Sequence, residues 1–297
     1  MVTPVSVTPI PIDSRADRKP YGCYFQRRSD RPTPTQRRRL LRAKAPSEQG
    51  FVGEAPTARR VGRPQSIAMT NAKLPHATQA PDGPALINDF RSFVADPSFP
   101  CVGAKSALKR DRIEFEVCDR LGSRHCAEVL RESLADFSAR NPDPGTDPTS
   151  FVAIFRGEVA SEEEFHQRLW MQLQAIHDLD IEEHPWASDV SNDPDSADFS
   201  FSVASRAFFV VGLHPRSSRL ARRAPRPTLV FNFHGQFEAL RASGRFDKLQ
   251  AAIRARDVAL QGDINPVLAR FGEASEALQY SGRAGGGCPL RTGSGSR

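Results

Sequence analysis

Hydrophobic residues recur in regular periods from about residue 84 onward, and these periods predict the elements of a folded domain. Apolar positions at helical spacing predict helices over residues 85–95, 124–140, 162–178, 236–242, 247–261 and 266–271. Alternating positions or short apolar runs predict strands over residues 112–118, 151–155, 199–203, 207–213 and 228–233. This set of elements predicts an α+β fold with a single mixed sheet of about four to six strands and helices packed on it.

Three local signals sharpen this prediction. Ser161 followed by Glu164 is the pattern of a capping box at the start of a helix. Ala204-Ser205-Arg206 separates two strand patterns and predicts a hairpin. The run 207–213 is continuously apolar, which indicates a strand buried on both faces.

Charge divides the chain into two parts. Residues 1–68 hold 14 Lys and Arg against 5 Asp and Glu, whereas the remaining 229 residues hold 27 against 30. The first part is rich in Arg and Pro, so we expect a disordered basic extension, with Met69 as an alternative start of the protein. The expected domains are therefore the extension 1–68, a globular domain 69–290 and a loose tail 291–297. A nucleic-acid-binding arm is not expected, because no aromatic platform accompanies the arginines.

Several protein classes are excluded. No apolar run approaches the ~20 residues that a membrane span requires. Five cysteines are an odd number and form no C-x-x-C pair, so a disulfide scaffold is not expected and a reducing cytoplasm fits best. The chain also lacks a P-loop, G-x-G-x-x-G, H-E-x-x-H, G-x-S-x-G and any zinc-site pattern.

Two histidines follow predicted strands. His214 comes after the strand 207–213, and His234 comes after the strand 228–233. If these strands are parallel, both imidazoles emerge at one edge of the sheet, where ligands usually bind. If they are antiparallel, the two histidines lie at opposite edges and do not form one site. Each is otherwise a structural, hydrogen-bonded histidine.

Charged clusters near these histidines suggest ionic ligands. The connection between the two strands carries five arginines, which suit an anionic cofactor such as haem with its propionates, a nucleic acid, or solvent alone. They are Arg216, Arg219, Arg222, Arg223 and Arg226. Glu273 and Glu276 are three residues apart, so on a helix they share a face that could bind a cationic substrate or simply contact solvent.

An ordered set of short runs resembles the YqcI/YcgG family. The runs span about residues 84–290 and are FPCVGAKSAL at 99–108, FFVVGLHP at 208–215, FNFH at 231–234, RDVALQG at 256–262, FGEASE at 271–276 and QYSG at 279–282. No single run is diagnostic, but their order is fairly specific. Residues 1–68 have no counterpart in the family.

The resemblance implies a haem-dependent monooxygenase that hydroxylates a guanidino or amine nitrogen of a small, amino-acid-like substrate. It also implies O₂ and an external electron donor, with an unidentified reductase as partner. Its tail in this chain reads Gly-Gly-Gly-Cys-Pro-Leu, which departs from the family's aromatic residue and Cys-Pro-Phe end.

The residues expected to serve this chemistry follow from that implication. His214 is the first candidate for the iron ligand, Cys288 the second, and His234 the third or a hydrogen-bond donor to bound oxygen. Arg216, Arg219, Arg222 and Arg223 would hold the propionates. Glu273 or Glu276 would orient the guanidinium group.

Three other functions are compatible with the same residues. A haem carrier or sensor would keep the ligand without a substrate site. A non-haem iron oxygenase would use His214, His234 and one carboxylate as a facial triad. A binding module would have no chemistry at all.

Overall fold

The computed structural model describes residues 82–266, 272–283 and 287–292. The helices in these ranges are α1 (Gly83–Ala95), α2 (Val102–Lys109), α3 (Arg124–Arg140), α4 (Glu162–Asp180), α5 (His234–Ala242), α6 (Phe246–Gln261) and α7 (Ala277–Tyr280). The strands are β1 (Ile113–Cys118), β2 (Ser150–Phe155), β3 (Phe201–Val203), β4 (Arg206–Leu213) and β5 (Thr228–Phe233). A short 3₁₀ turn covers Leu220–Arg222. None of these helices is long and apolar enough to cross a membrane.

The five strands form one mixed sheet in the order β1-β2-β5-β4-β3. β1 and β2 are parallel and are joined through α3, whereas β5 is antiparallel to both of its neighbours, β2 and β4. The α+β prediction with a single mixed sheet is therefore confirmed.

Each face of the sheet is covered by helices. The apolar run of β2 has no polar positions because both faces of the strand are buried. Phe151, Ala153 and Phe155 belong to one buried cluster, and Val152 and Ile154 belong to the other. The first cluster is completed mainly by α3 and α4, and the second by α1 and α2. The predicted two-sided burial of β4 is similar, since Val210 joins the first cluster and Leu213 the second.

Local sequence signals explain the ends of several elements. The Ser161 side chain accepts a hydrogen bond from the Glu164 amide at 3.0 Å, as predicted, whereas the Glu164 carboxylate accepts one from the amide of Ala160, one residue before the N-cap, at 2.6 Å. The β3–β4 hairpin turns through Ala204 and Ser205, both with φ near +55°. Two successive positive φ values are typical of the tight turns that suit the right-handed twist of hairpin strands.

The structure also differs from the sequence predictions. Helix α2 was not predicted; its N-cap is Cys101, whose sulfur accepts a hydrogen bond from the Ala104 amide at 3.4 Å. The predicted helix 266–271 lies almost wholly outside the described residues, as does the extension 1–68. At the C-terminal end, Arg291 exchanges both backbone hydrogen bonds with the Gln174 side chain.

Candidate functional site

His234 lies at the junction of the last strand and a helix. β5 ends at Phe233, and His234 is the first residue of α5 with only 2% of its surface exposed. Its Nδ1 atom is 3.6 Å from Oε1 of Glu276, and its Nε2 atom is 3.4 Å from Oε1 of Glu238, one helical turn further on. Both ring nitrogens therefore face carboxylates.

Glu276 is a buried carboxylate with spare hydrogen-bonding capacity. It is 5% exposed, and its Oε2 atom has no hydrogen-bond partner among the described residues. Burying a charged carboxylate without full hydrogen bonding costs roughly several kcal/mol of free energy. A ligand that donates hydrogen bonds to this oxygen would therefore be favoured. Glu273 is exposed and lies three residues earlier. Of the predicted catalytic residues, the structure thus brings His234 and Glu276 together and leaves Glu273 at the surface.

A buried tyrosine fixes the segment that carries Glu276. The Tyr280 hydroxyl donates a hydrogen bond to the Phe208 carbonyl at 3.2 Å and accepts one from the Phe201 amide at 3.0 Å. Its ring stacks on Trp170 with 5.9 Å between ring centroids. Burial raises the pKa of Tyr280 well above its ordinary value, so the hydroxyl keeps its proton. The anchor ties α7, and with it Glu276, to β3 and β4.

His214 lies at the opposite end of the sheet. Leu213 pairs with Thr228 and Phe208 pairs with Phe233, so the antiparallel register separates His214 from His234 by roughly 22–24 Å along the strands. The condition for one site that holds both histidines is not met. A facial triad using both imidazoles is not assembled in the described residues, which contain no group of three or more metal-ligating side chains.

His214 is enclosed within the protein, with the charges of Glu162 and Arg222 acting on its ring. The residue is 0% exposed, and its ring stacks on Phe165 with centroids 4.2 Å apart. Neither ring nitrogen has a hydrogen-bond partner in the described part of the chain. Burial lowers the pKa of His214 to about 4, so the imidazole is neutral at pH 7.

The arginines of the β4–β5 connection are largely used within the protein. Arg219 binds Asp257 at 2.7 Å and also binds Asp263. Arg222 donates to the carbonyls of Gly212 and Tyr280, and burial lowers the pKa of this guanidinium to about 10. Arg223 and Arg226 donate to the Ser217 carbonyl and to Glu158, respectively. Arg216 is exposed. Most of this cluster therefore stabilises the connection instead of forming an open anion site.

These contacts test how well the candidate ligands fit a haem iron. His214 is enclosed by its stacking partner, and both nitrogens of His234 face carboxylates. Cys288 is half-buried, and burial raises the pKa of its thiol to about 11, so no thiolate is ready at neutral pH. As they are placed, the three candidates do not fit an axial haem ligand with an open coordination position.

Comparisons with known proteins agree with the ordered sequence runs. The model of the YqcI/YcgG family matches residues 90–290, well over half of the chain. The chain belongs to the YqcI/YcgG family. No solved structure matches it.

This YqcI/YcgG family member has a distant curated relative in Streptomyces lavendulae. The two are 27% identical over 183 residues, which are 57% of this chain and 66% of the relative. The relative is named "Putative N(omega)-hydroxy-L-arginine synthase DcsA". The chain thus spans just under two thirds of that protein's length.

Two residues of the site were missed by the sequence analysis. Glu238 is four residues after His234, and helical spacing alone could have paired them. Tyr280 has no such local signal, because its partners Phe201 and Phe208 lie more than 70 residues earlier in the chain.

Proposed function

We propose that this protein hydroxylates a guanidino nitrogen of a small, arginine-like substrate, and that Glu276 and His234 are its substrate-binding and proton-handling residues. The observation that carries the proposal is the buried Glu276 carboxylate with one unpartnered oxygen beside an imidazole. A guanidinium group is planar, permanently charged and rich in N–H donors, so it matches a carboxylate in both charge and geometry. The distant relationship to a protein named as an N-hydroxy-arginine synthase supports the same substrate class.

The roles of the two residues follow from their contacts. Oε2 of Glu276 accepts a guanidinium N–H, while Oε1 stays directed at Nδ1 of His234. Nε2 of His234 faces Glu238, whose side chain is 49% exposed. The His234 imidazole thus lies between the buried Glu276 carboxylate and the half-exposed Glu238 carboxylate. It can carry a proton at either ring nitrogen and so pass one between Glu276 and solvent.

The chemistry requires an oxygen-activating group. N-hydroxylation inserts one oxygen atom of O₂ into an N–H bond, and the second atom leaves as water with two electrons and two protons. The family resemblance implies haem and an external electron donor for this oxidation, but His214, His234 and Cys288 do not fit a haem ligand as they are placed, so no step is assigned to that group. The protein's own residues position the substrate and handle the protons.

Binding and turnover are tested separately. Arginine titrated into the full-length protein in a calorimeter should bind, and Glu276→Gln should weaken that binding, whereas the exposed Glu273→Gln should not. With O₂ and a chemical reductant, after incubation with hemin, the protein should convert arginine to N-hydroxyarginine, detected by mass spectrometry. The substrate assignment is overturned if the protein binds neither arginine nor any other guanidino compound.

The absorption spectrum tests the cofactor. A Soret band, in the protein as purified or after hemin titration, supports haem, and its loss in His214→Phe, His234→Phe or Cys288→Ser identifies the ligand. Haem without turnover would indicate a carrier or sensor. Turnover without a Soret band would exclude the haem that the resemblance implies and leave the substrate assignment intact.

A further inference from the structure

A cleft opens between α1, the β4–β5 connection and α6. Its volume is about 620 Å³, which lies within the roughly 300–1,000 Å³ range of small-molecule sites. The connection that lines it begins at His214, so the cleft belongs to the opposite end of the β4–β5 strand pair from His234. It is therefore separate from the site proposed above.

One wall of the cleft carries two carboxylates with an aromatic ring between them. Asp89, Phe93 and Asp96 are four and three residues apart along α1 and its C-cap, so they share one face of the helix. The Asp89 side chain is exposed and forms no ion pair or hydrogen bond with any residue in the described part of the chain. Its negative charge is thus available to a ligand in the cleft.

The rest of the lining is largely apolar. Leu220 and Pro225 of the connection and Leu260 of α6 complete the cleft together with Phe93 and Phe99. The two phenylalanine rings meet edge to face, with centroids 5.0 Å apart. Leu220 keeps 36% of its surface exposed. A ligand with an apolar body would cover this surface and gain the free energy of removing it from water.

The positive charges beside the acidic wall are bound to backbone carbonyls. Arg256 donates to two carbonyls of the loop 97–99, at 2.6 and 3.2 Å. Lys105 donates to the Asp96 carbonyl, and its charge also acts on the Asp96 carboxylate. Neither cation forms an ion pair with Asp89. The wall therefore keeps a carboxylate that no charge of the described residues neutralises.

The opposite wall is held in place by polar contacts behind it. Arg219 joins the connection to α6 through its ion pair with Asp257 at 2.7 Å, and both side chains are buried. The Leu220 amide donates to the Gln261 side chain at 2.7 Å. The cleft is therefore formed before a ligand arrives, which lowers the entropic cost of binding.

We propose that this cleft binds a small organic cation, namely an amine or guanidine carried on an aromatic or branched aliphatic body. The cationic group pairs with Asp89, while the body packs against Phe93, Phe99 and Leu220. A cation is also attracted to the face of an aromatic ring, so Phe93 and the two carboxylates favour the same charge. An anion of the same shape is repelled.

Three ligands of one shape test the charge preference. Phenethylamine, 2-phenylethanol and 3-phenylpropionate are each titrated into the full-length protein, and ligand-observed NMR gives the Kd. We expect the amine to bind about 3- to 10-fold more tightly than the alcohol, and the carboxylate not to bind. The advantage of the amine should shrink in high salt, because the carboxylates are exposed and their charge is screened.

Variants locate the binding. Asp89→Asn should remove the advantage of the amine and leave the alcohol unaffected. Asp136→Asn, the matched control, changes an exposed aspartate on α3 outside the cleft and should leave both ligands unaffected. Ser92→Trp fills the cleft from α1 and should abolish binding of both. Thermal unfolding of each variant checks that it folds.

Several results would overturn the proposal. They are the absence of binding by the amine, equal affinities of the amine and the alcohol, and amine binding that persists in a folded Ser92→Trp variant. An equal loss in Asp136→Asn and Asp89→Asn would also overturn it, because it would show attraction to the overall charge instead of binding in the cleft.

Discussion

The two ends of the β4–β5 strand pair each bury a histidine, and the two histidines have opposite surroundings. At the His214 end the imidazole stacks on Phe165, and no hydrogen-bond partner contacts its nitrogens in the described residues. At the His234 end the imidazole lies between Glu276 and Glu238. Exposure is 0% and 2%, so burial does not distinguish them. The polar neighbours do, and for this reason we place the proposed site at the His234 end.

The largest effect should come from removing the charge of Glu276. Glu276→Gln keeps the shape of the side chain but loses a charge-assisted hydrogen bond, which contributes roughly 1.5–3 kcal/mol. We expect the Kd for arginine, measured by calorimetry, to rise about 10- to 100-fold. Glu273→Gln is the control, and equal losses in both variants would show that the His234 end is not the binding site.

The His214 end should make the fold sensitive to acid. Burial lowers the pKa of His214 from 6.5 to about 4, so between these values the unfolded chain binds a proton that the folded chain does not. The free energy of unfolding should therefore fall by about 2–3 kcal/mol between pH 7 and pH 4.5 from this residue alone. Urea unfolding at both pH values measures it.

His214→Phe is the matched variant for that measurement. It keeps an aromatic ring against Phe165 and removes the titrating group, so its loss of stability in acid should be smaller. The remaining acid sensitivity includes His166 and His177, whose pKa values are also lowered by burial. An unchanged pH profile in His214→Phe would contradict the assignment.

Packing at the His214 end leaves no room for a side chain at Gly212. A Cβ at Gly212 would lie 2.7 Å from side-chain atoms of both Phe165 and Leu169, which are themselves fully buried. Gly212→Ala should therefore cost about 1–3 kcal/mol of stability. Arginine binding at 25 °C should be retained, and a matching loss of binding would show that the two ends are coupled.

The smallest effect should come from Glu238. Its carboxylate is half-exposed and also binds Arg241, so its contact with His234 is worth only about 0.2–1 kcal/mol. Glu238→Gln should change arginine binding by less than about fivefold. If it lowers turnover more than binding, the proton path through His234 is supported.

The sequence predicted the elements better than their arrangement. Four of the five strands were placed to within about one residue, because each is a short apolar run bounded by turn residues. Strand direction was left open, since the same 215–226 connection is long enough for either pairing. Helix α2 was missed because its cap is a cysteine sulfur, an unusual capping group.

The candidate site was predicted in part. His234 and Glu276 were both named, but their contact depends on the packing of α7, which no local pattern specifies. The structural use of Arg219 and Arg222 was equally hidden, because their partners Asp257 and Tyr280 lie 38 and 58 residues away.

The position of β5 has a consequence for synthesis on the ribosome. β5, the last of the described strands along the chain, is the centre of the sheet, between β2 and β4. Until Phe233 has emerged, the parallel pair β1–β2 and the hairpin β3–β4 are separate, each with an unpaired inner edge, and such edges are prone to intermolecular pairing. The nascent chain therefore depends on one late segment, and premature termination anywhere before it leaves a product that cannot close its sheet.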